Sequence, residues 1–221
     1  RTAAMTWFGD LDISALTELP GGRKPIRTFV VPESNASLMS EMFALIRKRI
    51  DAGELAYVVC PRIDDDSENA DDVLTESATS NSKTTGSPIP AFDEAYDLGE
   101  DDEQRAQRPP LHSVAEIVER LQSLPQFKGI RFATLTGRDD DTTKSQVMAD
   151  FEAGITPILV ATTVIEVGVD VAKASCIVIF DADRYGLSQL HQLRGRVGRG
   201  GTDSGAFLIS RAPADSDAAR R

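Results

Sequence analysis

Residues 157–200 read PILVATTVIEVGVDVAKASCIVIFDADRYGLSQLHQLRGRVGRG and show most clearly which architecture the chain adopts. Two uninterrupted apolar runs, at 157–161 and 175–180, are typical of strands buried on both faces of a parallel sheet. A helical pattern begins at Leu187 and gives way to a glycine-rich turn. This order of strand, connection, strand and helix predicts one part of an α/β fold.

The same alternation of strands and helices continues on both sides of this stretch. Apolar spacing predicts strands at 26–31, 55–60, 130–135 and 205–210, and helices at 37–52, 113–124 and 142–153. Ser113 and Glu116 have the spacing of a capping box at the start of one helix. We therefore predict a mostly parallel central sheet with helices on both faces.

The segment after the last predicted helix is rich in arginine and glycine. Arg194, Arg196 and Arg199 alternate with three glycines between 195 and 200. Glycine lets a backbone approach another surface closely, and the guanidinium group offers a fork of donors that matches phosphate oxygens. The segment is thus interpreted as a phosphate-contacting element. The alternative is a basic turn that is only a solvated surface or a nonspecific nucleic-acid patch.

Ligands of parallel α/β sheets bind where the carboxyl ends of the strands meet the loops. Gly137 and Arg138 follow one predicted strand, and Thr162 and Thr163 follow the next. We expect these residues, Asp170 and the arginines at 194–199 to lie together at that one edge of the sheet.

Acidic charge is concentrated in one part of the chain. The net charge is −11, but residues 64–103 contain fourteen acidic residues and one lysine, which amounts to −13. The remaining residues therefore carry about +2 and are able to approach a polyanion. Residues 62–110 are polar, poor in aliphatic residues and without periodicity, so we predict a disordered acidic insertion. Its Asp-Glu-Ala-Tyr run at 93–96 follows no buried strand and is interpreted as an accidental likeness to an ATPase metal motif.

Other features of the composition indicate a soluble globular protein. No apolar run approaches the length of a membrane span, and the N-terminus lacks the layout of a signal peptide. Cys60 and Cys176 each lie in an apolar run without further cysteines, so we expect buried, reduced thiols and no metal site.

Two blocks of sequence carry a resemblance to a known family. Residues 158–171 (ILVATTVIEVGVDV) and 189–199 (QLHQLRGRVGR) resemble motifs V and VI of superfamily 2 helicases. More narrowly they resemble the RecG family, which regresses stalled replication forks and moves Holliday junctions. Residues 1–6 are similar to the end of motif III of that family, 57–61 to its motif IV, and 135–138 to its "LHGR" segment. The likeness covers nearly the whole chain outside the acidic insertion.

For the nucleotide, the resemblance implies half of a pocket for ATP and Mg²⁺ between two RecA-like lobes. Arg196 and Arg199 would reach the γ-phosphate, and Gln192 would sense the nucleotide. Asp170 would accept hydrogen bonds from the ribose or from an arginine of the other lobe, unless it only caps a turn. Gly168 would shape the motif V loop. The phosphate loop and the Mg²⁺ ligands would come from the first lobe, since these 221 residues contain no GxxxxGK[ST] sequence.

For DNA, the resemblance implies sequence-independent phosphate contacts from Thr162, Thr163, Gly137 and Arg138, as a translocase requires. Arg138 is also open to interpretation as a solvated loop arginine. The expected partners are branched DNA, the first RecA-like lobe and a wedge domain of the same protein. The resemblance also implies a monomeric, cytoplasmic bacterial protein associated with the nucleoid.

The expected layout is a linker with the end of motif III at 1–25, a RecA-like C-terminal helicase lobe at 26–211, and the start of a helical hairpin at 212–221. The chain departs from the family at Thr136, where histidine is usual, and at Ala172-Lys173, where Pro-Asn is usual. Two other functions stay open: the lobe of a transcription-repair translocase, and a nucleic-acid-binding or interaction module without a motor role.

Overall fold

The computed structural model describes residues 24–61, 110–162 and 171–211. Its strands are β1 (Arg27–Pro32), β2 (Leu55–Val59), β3 (Phe132–Leu135), β4 (Ile158–Ala161), β5 (Ala174–Ile179) and β6 (Gly205–Ser210). They form one sheet in the order β1-β6-β5-β2-β4-β3, and every neighbouring pair is parallel. All amino ends of these strands therefore lie at one edge of the sheet and all carboxyl ends at the other.

Four helices accompany the sheet in the described residues: α1 (Ala36–Asp51), α2 (Val114–Ser123), α3 (Asp141–Glu152) and α4 (Leu187–Arg194). Short polar side chains cap the first three helices, because a free backbone N–H in the first turn needs an acceptor. Asn35, Ser113 and Asp140 accept hydrogen bonds from backbone N–H groups of α1, α2 and α3 at 3.1, 3.1 and 2.7 Å.

Each face of the sheet carries its own apolar core. α1 and α2 cover one face, with Phe43 and Ile117 among the buried residues. α3 and α4 cover the other face, where the Phe151 ring lies 4.8 Å from the Tyr57 ring. β2, β4 and β5 are buried along their whole length. This burial explains why these three strands are continuous apolar runs in the sequence.

The predicted α/β architecture with helices on both faces is confirmed, and every described strand pair is parallel. β3 begins two residues later than predicted, because the N–H of Ile130 donates to the carbonyl of Phe127 in the preceding turn. Cys60 and Cys176 are buried free thiols, as predicted. The predicted insertion at 62–110, apart from Pro110, lies outside the described residues, as do 1–23 and 212–221. No described helix has the length and apolar character needed to cross a membrane.

The packing of α3 on the sheet generates a stability prediction. Phe151 is fully buried, so Phe151→Ala should lower the free energy of unfolding by about 3–5 kcal/mol through lost transfer energy and an unfilled cavity. Urea denaturation followed by circular dichroism measures this loss. Ile155→Ala is the control, because Ile155 is half exposed and its truncation should cost about 0.5 kcal/mol or less. Equal losses in the two variants would contradict this description of the core.

Candidate functional site

The helix α4 leads directly into the segment that the sequence marks as phosphate-contacting. Its N-terminus follows Gly186, whose N–H donates to the side-chain oxygen of Gln189 at 3.1 Å. Leu193 is buried against the sheet, whereas His191 and Gln192 are exposed. A guanidinium nitrogen of Arg194 lies 3.3 Å from Nδ1 of the His191 ring. The exposed face of α4 therefore presents Gln192 to solvent.

The residues 195–200, called here the arginine loop, are held by backbone contacts and one buried side chain. Val197 is completely buried in the core under α4. The N–H of Gly198 donates to the carbonyl of Ala174 at 3.3 Å, at the start of β5. Gly198 has φ +80°, a left-handed conformation that favours glycine. These contacts fix the loop against the sheet.

With Val197 pointing inward, the neighbouring arginines are presented outward. Arg196 is half-buried and Arg199 is exposed, and the Nε of Arg199 donates to the carbonyl of Gly195 at 3.2 Å. Among the described residues, no carboxylate forms an ion pair with Arg196. The fork of donors on a guanidinium group suits an anion that approaches from outside the lobe.

The expectation that all predicted site residues share one edge of the sheet is wrong. The arginine loop contacts Ala174, and a side chain at Gly198 would meet Ile26, which immediately precedes β1. It therefore lies at the edge formed by the amino ends of the strands. The physical reason is that α4 starts beyond the carboxyl end of β5 and returns along the sheet, so its C-terminal loop reaches the opposite edge.

Thr162, Gly137 and Arg138 do lie at the carboxyl edge. Thr162 directly follows β4, and its N–H donates to the carbonyl of Leu135 at 3.2 Å. The Thr162 side chain is buried, and its hydroxyl has no hydrogen-bond partner among the described residues. An unpaired buried hydroxyl is a costly arrangement, which a polar partner would relieve.

The turn that carries Gly137 and Arg138 is closed by its own side chains. Asp139 accepts hydrogen bonds from the backbone N–H and the hydroxyl of Thr136, at 2.6 and 3.0 Å. Gly137 and Arg138 are exposed at the tip of this turn. Thr136, which stands where the RecG family usually has histidine, therefore stabilises the turn through its hydroxyl. Thr163, Gly168 and Asp170 lie outside the described residues.

A buried charged cluster, which the sequence did not reveal, lies at the carboxyl ends of β1, β5 and β6. Asp181 accepts hydrogen bonds from the backbone N–H of His112 at 2.7 Å and from Arg211 Nε at 2.9 Å. The His112 ring lies 3.0 Å from Asp181 and 3.2 Å from Glu33, and Arg120 also pairs with Glu33. Asp181 adopts φ +51° where the chain turns from β5 toward α4. The cluster thus connects the carboxyl ends of three strands with the start of the segment that leads to α4 and the arginine loop.

The hydrogen bonds in the cluster shift the pKa values of its members. Burial opposes the charge on the His112 ring, but the hydrogen bonds with Asp181 and Glu33 outweigh it and raise the pKa of His112 to about 9. Burial also disfavours the Glu33 anion, yet the bonds from His112 and Arg120 lower the pKa of Glu33 to about 2. The pKa of Asp181 is lowered as well, against its burial, chiefly by His112. The cluster is therefore charged at neutral pH.

The sequence of this chain is similar to those of known proteins. Residues 110–201 match the family described as the helicase conserved C-terminal domain. Over the full chain, the sequence is 39% identical to the ATP-dependent DNA helicase RecG of Mycobacterium tuberculosis (strain ATCC 25618 / H37Rv) and covers 26% of that protein. It is 34% identical to RecG of Bacillus subtilis (strain 168), covering 95% of this chain and 24% of the relative.

The fold of this chain is also similar to that of a solved RecG structure. RecG bound to a three-way DNA junction superposes with a TM-score of 0.61 at 29% identity, covering 100% of this chain and 22% of that chain. Fold and sequence together define the class: the chain contains a RecA-like helicase C-terminal lobe. Within that class its sequence is similar to the RecG proteins, and it spans about a quarter of the length of the curated relatives it matches.

The charged cluster generates a prediction about pH. The pKa of His112 is higher in the folded chain than its ordinary value of 6.5, so protonation stabilises the fold. This contribution is fully present below about pH 6.5 and is lost as the pH rises through about 9. His112→Gln should therefore lower the unfolding free energy most at about pH 6, and the deficit should shrink by about pH 10, as measured by urea denaturation.

His191→Gln is the matched control for this experiment, since it removes an exposed imidazole that lies outside the cluster. A His112→Gln deficit that stays constant across the whole pH range would contradict the assignment of a stabilising, protonated His112.

Proposed function

We propose that this chain is the second motor lobe of an ATP-dependent DNA helicase that acts on branched DNA, in fork regression and Holliday junction migration. The observation that carries the proposal is the arginine loop, which presents Arg196 and Arg199 outward from a backbone fixed to β5. The identity to RecG proteins over the full chain supports it. The lobe alone is proposed to be inactive as an ATPase.

The chemistry of Arg196 and Arg199 fits the terminal phosphates of ATP. In phosphoryl transfer, negative charge spreads over the oxygens of the transferring group, and fixed cationic donors stabilise that charge without reorganising. Arg196 and Arg199 would supply these donors, and Gln192 on the exposed face of α4 would sense the nucleotide. Gly168 and Asp170 are proposed to complete this wall of the pocket.

Magnesium is proposed to be held by residues outside this lobe. Across residues 24–61, 110–162 and 171–211, no three His, Cys, Asp or Glu side chains are grouped to hold a metal ion. Mg²⁺ with ATP favours carboxylates and hydroxyls beside the phosphates. We propose that its ligands come from the first RecA-like lobe.

DNA contacts are proposed at the carboxyl edge. Gly137 and Arg138 are exposed at the tip of a short turn. The buried hydroxyl of Thr162, which has no partner among the described residues, lies at the neighbouring strand end. Together with Thr163, they would hold phosphates without reading base sequence, since backbone contacts position a protein but do not specify a sequence.

The proposal includes the surroundings in which the lobe works. Its partners would be the first RecA-like lobe and a wedge domain of the same polypeptide, in a monomeric bacterial enzyme of the cytoplasm and nucleoid. The domain layout is proposed as a linker at 1–25, the lobe at 26–211 and the start of a helical hairpin at 212–221.

Steady-state ATP hydrolysis by the full-length gene product, with forked DNA present, tests the nucleotide role. Arg196→Ala or Arg199→Ala should lower kcat by about a thousandfold, the scale of an arginine finger. Arg131→Ala, another exposed arginine at the start of β3, is the control and should retain wild-type turnover. Unchanged turnover in Arg196→Ala and Arg199→Ala would favour a binding module without a motor role.

Binding of forked DNA at several salt concentrations tests the DNA role. Arg138→Ala should weaken binding equally for forks of different sequence and reduce the slope of log K against log salt by about one. Lys128→Ala removes the same charge from the opposite edge of the sheet and should leave the slope unchanged. An unaltered slope in Arg138→Ala would identify Arg138 as a solvated loop residue.

A further inference from the structure

Gly200 lies so close to the backbone of Ala172 that a residue with a side chain would not fit in its place. A methyl group built on Gly200 would overlap the carbonyl oxygen of Ala172, and it would lie 3.1 Å from the carbonyl carbon and 3.6 Å from the Cα of the same residue. Because these are backbone atoms, no rotation of a side chain relieves the overlap. The φ of Gly200 lies outside the left-handed region, so the close approach alone requires glycine here.

This contact completes the fixation of the arginine loop at the amino edge of the sheet. Val197 is buried in the core, Gly198 donates to the carbonyl of Ala174, and Gly200 lies on Ala172. Arg199 stands between the last two contacts, and Arg196 precedes the first. The position of the backbone that follows Arg196 and Arg199 therefore depends on how closely Gly200 approaches Ala172.

We propose that Gly200 is a positioning residue for Arg196 and Arg199. It allows the loop to lie against the Ala172 carbonyl, and that close approach determines where the two guanidinium groups stand. The inference rests on the proposed ATP-hydrolysing function and adds a residue that itself touches neither nucleotide nor DNA. A side chain at position 200 displaces the loop from β5, and the arginines move with it.

The size of the effect follows from the geometry. Restoring ordinary van der Waals separation after Gly200→Ala requires a backbone shift on the order of 1 Å. A misplacement of that size at a catalytic group lowers turnover by up to about a hundredfold. The KM for ATP should change less than kcat, because the arginines act most strongly on the charge that develops during the reaction.

The test measures forked-DNA-stimulated ATP hydrolysis by the full-length gene product. Gly200→Ala should lower kcat by about 10- to 100-fold, with a change of about threefold or less in the KM for ATP. Gly154→Ala is the matched control: Gly154 has φ +78° and open space, so alanine there costs stability outside the arginine loop. Its kcat should remain that of the wild type even where its thermal midpoint falls as far as that of Gly200→Ala.

A double-mutant cycle separates positioning from a general loss of structure. In an Arg196→Ala background, single-turnover hydrolysis should lose about twofold or less on adding Gly200→Ala, because the displaced group is already gone. A purely structural defect would reduce the rate by the same factor in both backgrounds. Hydrogen exchange should show faster exchange of the Gly198 amide in Gly200→Ala, while β5 amides stay protected.

Ala172→Gly covers the case in which Gly200→Ala does not fold. It keeps the space at position 200 but frees the backbone that the loop rests on, and kcat should fall by about threefold or more. Wild-type kcat in Gly200→Ala, or an additive cycle, would overturn the inference. If Gly200→Ala does not fold, wild-type kcat in Ala172→Gly overturns it instead. Absence of DNA-stimulated hydrolysis in the wild-type protein would instead overturn the proposed function.

Discussion

The proposed function of the lobe depends most on how the arginine loop is attached to the sheet. Val197 is buried in the apolar core, and Gly198 and Gly200 lie directly against the backbone that starts β5. Guanidinium groups on a free loop would lose much of their electrostatic effect, because the loop would have to become ordered during the reaction. The glycines and the valine remove that cost, and they explain why small and apolar residues alternate with the arginines.

The parallel sheet separates the two proposed contacts of the lobe. Its carboxyl edge carries Thr162 and the turn with Gly137 and Arg138, and its amino edge carries the arginine loop. Thr162 follows β4 at the carboxyl edge, and Val171 precedes β5 at the amino edge. The buried cluster around His112 and Asp181 stabilises the carboxyl edge, at the point where the chain leaves β5 and begins its return through α4.

The apolar pattern of the sequence is sufficient to predict the sheet and its helices. β2, β4 and β5 are buried on both faces and are therefore continuous apolar runs. The position of the arginines was predicted wrongly, since their place after a strand in the sequence says nothing about how far α4 returns along the sheet. The cluster around His112 was missed because its members come from distant parts of the chain and form no motif. Contacts such as Gly200 with Ala172 likewise depend on three-dimensional packing.

Arg196 and Arg199 are proposed to complete a nucleotide pocket whose other wall belongs to a neighbouring lobe. The most direct measurement is a structure of the full-length gene product with forked DNA and a non-hydrolysable ATP analogue. A guanidinium nitrogen of Arg196 or Arg199 should lie about 3 Å from an oxygen of the γ-phosphate group. Finding both side chains directed into the lobe, or toward the DNA and away from the phosphates, would contradict this proposal.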